Sequence, residues 1–163
     1  MNGIKILVHT LHQGEQNLAE EFTAFAKHYR AEHEIHFVAT DLAAWSHEHA
    51  QRLVRAAADC SLDLTPLPDA VWDSFPATRP ERMPEQARHL PGSGLLLLRD
   101  LCDLHLAATC NSLHWEMLAQ AAQASRKAPM LTLVSHCHPQ TLRQMRWTNI
   151  MIKNLSPQAV TSL

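Results

Sequence analysis

Glycine is scarce in this chain, with four in 163 residues. Tight turns and left-handed backbone lean on glycine, so the scarcity suits long helices joined by few turns. Alternating runs of β-branched residues are also missing, which leaves a sheet without support. The four cysteines, Cys60, Cys102, Cys110 and Cys137, share no CxxC spacing. Neither a zinc clip nor a disulfide scaffold is implied, and the thiols read as reduced and packed. No sign of charge dominates: 14 basic residues face 16 acidic ones, for a formal net charge of −2. Without a basic face, nucleic acid is not an expected partner. No stretch reaches the ~20 apolar residues of a membrane span. "GSGLLLLRDLCDLHLAA" comes nearest, and Arg99, Asp100 and Asp103 interrupt it. The opening "MNGIKILVHTLHQGEQ" breaks its short apolar run at His9 and His12 and lacks a small-residue cleavage site, unlike a signal peptide. No Gly-x-Ser-x-Gly or P-loop pattern occurs. The expectation is one soluble, cytoplasmic domain over residues 1–163, with no membrane and no nucleic-acid partner.

What is present is histidine, twelve in all, and a 46% apolar fraction arranged at helical spacing. Leu11, Leu18, Phe22, Phe25 and Tyr29 mark one face of a first helix, from about Ile4 to Arg30. A second, from about Phe37 to Cys60, carries Val38, Leu42, Trp45, Leu53, Ala56 and Cys60. Residues 64–94 then hold six of the nine prolines and two of the glycines. Proline at that density removes backbone donors and forbids a continuous helix. This stretch, with its irregular part at about 64–93, reads as a long connection anchored by Trp72 and Phe75. A third helix is expected from about Gly94 to Arg126. A fourth runs from Met130 to about Asn154, stopped by "SPQ" and either kinked or restarted at Pro139. Two hairpins joined by one long crossover make an all-α four-helix bundle, the topology of ferritin-like folds.

Two polar residues sit where the core should be. Glu15 falls in the middle of the first apolar stripe, and His49 lies between Trp45 and Leu53 on the second. Counted back from a turn near Ala31–Ile35, each is about 15 residues away, so an antiparallel pairing sets them at one height. A buried carboxylate facing an imidazole satisfies both groups, as a hydrogen-bonded pair or as two ligands of one ion. His12, one turn before Glu15 at the edge of the stripe, and His138, inward on helix four but about 7 Å from the central height, are further candidate ligands. His9 is expected on the outer face. Helix three has two apolar sides. One carries Leu97, Leu101, Leu104, His105, Ala108, Ser112, Trp115 and Ala119, the other Leu106, Cys110, Leu113 and Met117. Which side is inward stays open, and so does the choice among His105, Cys110 and Glu116 as a third ligand. The outward side would be covered by the proline-rich connection or by a second copy in a homodimer.

The helix pattern, with "LHQGEQNLAEEF", "WSHEHAQRL", "HWEMLAQAAQA" and "TLRQMRWTNIMIKNLSPQA", resembles a group of small bacterial ferritin-like proteins of unassigned activity. Di-iron members of the wider superfamily place a Glu on each of two helices and Glu-x-x-His on each of the other two. No Glu-x-x-His occurs in this chain. The resemblance therefore implies the bundle without the full di-iron motif, and no ferroxidase or oxygenase activity depending on it. Hemerythrin-like histidine spacing is met only by His28 and Glu32, at a helix end. Three functions follow as expectations: a bundle holding one Fe, Mn or Zn ion through Glu15 and His49, a metal-free scaffold or partner-binding bundle in which that pair fixes register, or an enzyme whose site the sequence does not assemble. No enzymatic activity is assigned.

Overall fold

The computed structural model describes residues 3–65 and 93–162. Four helices make up the fold: α1 (Gly3–His28), α2 (His33–Asp59), α3 (Ser93–Ala124) and α4 (Ala128–Thr161). No strand occurs among the described residues. The expected crossover at 64–93 and its anchors Trp72 and Phe75 lie almost wholly outside them.

The hairpins are set by their turns. α1 and α2 are joined through 29–32, and His36 Nδ1 reaches back 2.8 Å to the Ala26 carbonyl, satisfying one of the acceptors that a helix end leaves open. α2 therefore begins at His33, four residues earlier than the sequence pattern suggested, with Glu34 favourably placed in its first turn. At the end of α3, Lys127 N–H bonds the Ala122 carbonyl and Arg126 N–H bonds that of Gln123. Leu62 and Ser61 close α2 in the same way, on the carbonyls of Ala57 and Ala58. Such closures need a left-handed residue, and here Ser61 (φ 53°) and Arg126 (φ 55°) supply it in place of glycine.

α4 corrects the expected boundary. It continues past Asn154 to Thr161, with both Pro139 and Pro157 inside it. Each proline forfeits one backbone donor, but both lie on the exposed side. Ile152 and Leu155 pack onto the core on the other side and hold the last turns in place. Pro129, rather than Pro139, takes the helix start, where a missing N–H costs nothing.

Two contacts place α3 antiparallel to α1. Tyr29 O–H donates to Asp100 Oδ2 at 2.8 Å near one end, and Trp115 reaches Glu15 near the middle. α2 and α4 run antiparallel as well, since His49 meets Gln140 and Ser46 meets Gln144. Burial also settles the sides of α3. Leu101, Leu104, Ala108, Ser112 and Trp115 point inward, whereas Leu106 and Leu113 are 52% and 42% exposed.

The interior is layered. One apolar cluster gathers Leu7, Leu11, Leu53, Leu118, Met130 and their neighbours at one end of the bundle. The other, with Leu18, Phe22, Phe25, Leu42, Leu101 and Leu104, fills the opposite end. Between them lie buried polar residues from all four helices: Glu15, Ser46 and His49, Asn111 and Ser112, and Thr141 and Gln144. Gly14 makes room for this layer. A Cβ there would overlap Asn111 Oδ1, so only glycine lets the Asn111 side chain rest against α1 beside Glu15.

Candidate functional site

Each of the four helices contributes one residue to a chain of contacts in the polar layer. Trp115 Nε1–H donates to Glu15 Oε1 at 2.9 Å. The other carboxylate oxygen, Oε2, faces His49 Nδ1 at 3.3 Å. On the far side of the ring, His49 Nε2 lies 2.8 Å from Gln140 Oε1. The amide oxygen can only accept, so Nε2 carries the hydrogen. Trp115 also sets its ring edge-on to His49, with centroids 5.9 Å apart. Glu15, His49 and Trp115 are completely buried.

Glu15 Oε2 and His49 Nδ1 are at ion-pair distance, but the contact lies off the hydrogen-bond direction and neither atom has another hydrogen-bond partner. With Nε2 protonated, a neutral imidazole presents a lone pair at Nδ1 to the lone pairs of the carboxylate. Two acceptors facing each other in a dry core need something positive between them, either a proton or a metal ion. The separation suits an ion. Two ligands about 2.0–2.2 Å from a tetrahedral centre stand roughly 3.3–3.6 Å apart. The flanking bonds suit one too, because metal-binding imidazoles and carboxylates are held by hydrogen bonds on the side away from the metal.

The other candidate ligands are not grouped with this pair. His12 is half-buried at the edge of the stripe, and His138 is half-buried with Nε2 2.9 Å from Ser112 Oγ. His105 Nδ1 is 2.8 Å from Thr148 Oγ1, Cys110 lies toward the outer side of α3, and Glu116 is exposed. His9, expected on the outer face, is half-buried instead. Glu48, next to His49, turns outward to Arg52 at 2.7 Å. Cys137 is fully buried, and burial followed by the Glu15 charge pushes its thiol up to about 12, so it stays protonated. Among the described residues, no group of three or more His, Cys, Asp or Glu side chains is arranged to hold a metal ion. The dinuclear carboxylate centre of ferritin-like bundles does not fit: its ligand positions would need several further acids, and the layer offers indole, amide and hydroxyl groups instead.

Sequence reasoning brought Glu15 and His49 together and missed Trp115 and Gln140 as their partners. It also missed Asn111, Thr141 and Gln144 as members of the same layer. Their buried atoms Asn111 Nδ2, Thr141 Oγ1 and Gln144 Oε1 have no hydrogen-bond partner. Gln144 Nε2 does donate, to Ser46 Oγ at 2.9 Å and the Leu42 carbonyl at 3.0 Å. The detectable signal was a repeated i, i+3 spacing, Ser46/His49 on α2 and Thr141/Gln144 on α4.

The histidines around the site give the fold a pH dependence. Burial lowers His138 below its ordinary value of about 6.5, partly offset by the Glu116 charge. Burial does the same to His9, and to His12 with help from the His9 charge. As pH falls through about 6.5, the unfolded rings take up protons before the folded ones. Stability attributable to these three rings is intact above that pH and declines below it, until the folded-state values are also passed. The melting temperature is expected to drop between pH 7.5 and 5.5. H9Q/H12Q/H138Q should flatten that drop, and an equally steep drop in the variant would show that these rings do not cause it.

Comparison with protein-family models, curated proteins and solved structures found no match. Among the described residues, no helix is long and apolar enough to cross a membrane.

Proposed function

We propose that the protein is a ferritin-like bundle that binds a single divalent transition-metal ion, of the Fe, Mn or Zn type, between Glu15 Oε2 and His49 Nδ1. One observation carries the reading: two buried ligand atoms face each other at 3.3 Å without a hydrogen-bond partner, while the other atom of each group is held by Trp115 or Gln140. With two ligands of the His/acid type, the remaining positions fall to water or to neutral oxygens of the layer. His12 and His138 are not required. The ferritin-like assignment is supported by chain direction. α1 is antiparallel to both α2 and α3, so Asp59 and Ser93 lie at opposite ends of the bundle, the helix directions of a one-crossover bundle.

Protein purified without a histidine tag or nickel column provides the test. Elemental analysis is expected to find about one equivalent of metal, and chelator is expected to lower the melting temperature of wild type but not of Glu15→Gln. A metal-free protein, unaffected by chelator or by added Mn(II), Fe(II) or Zn(II), would leave the second reading. In that reading the positive charge between the atoms is a proton, and the buried pair serves a scaffold or partner-binding bundle. The observation that favours this alternative is the 3.3 Å separation, which is also an ion-pair distance for an imidazole facing a carboxylate.

The outward apolar side of α3 belongs to the same proposal as a homodimer surface, centred on the exposed Leu106 and Leu113. Leu113→Glu places a charge there without touching the core. Sedimentation is expected to show wild-type dimers at tens of micromolar and Leu113→Glu monomers; a monomeric wild type would remove the dimer.

A further inference from the structure

The polar layer repeats itself across the two hairpins. Glu15 stands thirteen residues before the end of α1 at His28, and Asn111 stands thirteen before the end of α3 at Ala124. Ser46 and His49 lie thirteen and sixteen residues after the start of α2 at His33. Thr141 and Gln144 lie thirteen and sixteen after the start of α4 at Ala128. Glu15 thus corresponds to Asn111, Ser46 to Thr141 and His49 to Gln144. All six are buried, at 3% exposure or less. Five of them carry a polar atom with no hydrogen-bond partner, and the sixth, Ser46, accepts from Gln144 across the boundary between the hairpins. Position and burial correspond in all three pairs, and unsatisfied atoms in two of them, Glu15/Asn111 and His49/Gln144.

We infer that the middle of the bundle is a duplicated site: an ionisable half on α1 and α2 that takes a divalent cation, and a neutral half on α3 and α4 that takes water. The inference rests on the proposed metal binding for the first half only. Glu15 and His49 supply a negative oxygen and an imidazole nitrogen, a set that stabilises a cation. At the equivalent stations Asn111 and Gln144 supply amides, which keep the shape and hydrogen-bonding capacity but not the charge or the imidazole. Asn111 Nδ2 can donate, Gln144 Oε1 can accept and Thr141 Oγ1 can do both. Ordered water needs that mixture of partners, and buried polar groups left unpaired in protein cores commonly hold it. The layer therefore takes one metal ion although its stations occur twice.

Charging the neutral half tests this. Asn111→Asp with Gln144→His gives the α3–α4 stations the ligand types of the α1–α2 stations, with Asp keeping the size that the Gly14 contact requires. Cobalt(II) is titrated into wild type, N111D/Q144H and E15Q/H49Q, the last as the baseline for surface histidines, with folding followed by circular dichroism. N111D/Q144H is expected to bind one equivalent more than wild type, and E15Q/H49Q to fold and bind one fewer. A folded N111D/Q144H that gains no equivalent would overturn the duplication, as would one that fails to fold even with cobalt present. A wild type that binds none while N111D/Q144H gains one would defeat the proposed function and leave the duplication standing.

Discussion

Replacing Trp115 by Ala is expected to cost about 3–5 kcal/mol, the range for truncating a large buried aromatic residue. Trp115 is completely buried and packs in the apolar cluster with Leu7, Leu11 and Leu118. The cavity is only part of the loss. The indole N–H is the hydrogen-bond donor to Glu15 Oε1, so truncation also leaves a second carboxylate oxygen without a partner in a region closed to bulk water. Trp115→Phe separates the two effects, since it fills most of the space and removes only the donor. It is expected to cost about 1–3 kcal/mol, measured by denaturant unfolding. If Phe is as harmful as Ala, the polar contact dominates. If Phe is neutral, Glu15 does not depend on the indole.

His49→Leu should destabilise by a similar amount, about 3–5 kcal/mol, because it leaves the buried Glu15 carboxylate without the partner that offsets its charge. The fold should then recover on a second change. Glu15→Gln in the His49→Leu background removes the stranded charge while its amide oxygen still accepts from Trp115. The double variant is expected to be more stable than His49→Leu alone, with a coupling energy near the upper end of the 0.5–3 kcal/mol (roughly) seen for residues in contact. Additive losses would mean that the two side chains act independently, which their 3.3 Å separation does not allow for.

Much of this was legible in the sequence, and the failures have physical causes. Glu15 and His49 stood out because each interrupts an apolar stripe, and counting from a short turn set them level. That argument needed only the helical rise and an antiparallel hairpin. Gln140 and Gln144 gave no such signal, since an amide within a helical pattern reads as an edge residue. Trp115 read as core, which it is. Its N–H mattered only once α1 and α3 were known to be neighbours. Helix three was ambiguous because both of its sides are apolar, and sequence alone does not say which one meets the bundle. The end of α4 was placed too early because proline was weighed as a breaker, whereas Ile152 and Leu155 secure the helix beyond it.

The two helix ends closed by Ser61 and Arg126 bear on the unfolded chain as well as the folded one. Holding a non-glycine residue in left-handed backbone costs the native state on the order of 1–2 kcal/mol at each position. Glycine would relieve that strain but would also give the denatured ensemble more conformations to lose, worth roughly 0.4–1 kcal/mol. The unfolded-state gain offsets only part of the strain, so glycine at either position is expected to leave the fold somewhat more stable. A chain with so few glycines thus enters folding from a stiffer starting ensemble, and part of its stability is located there, in states that no contact in the bundle records.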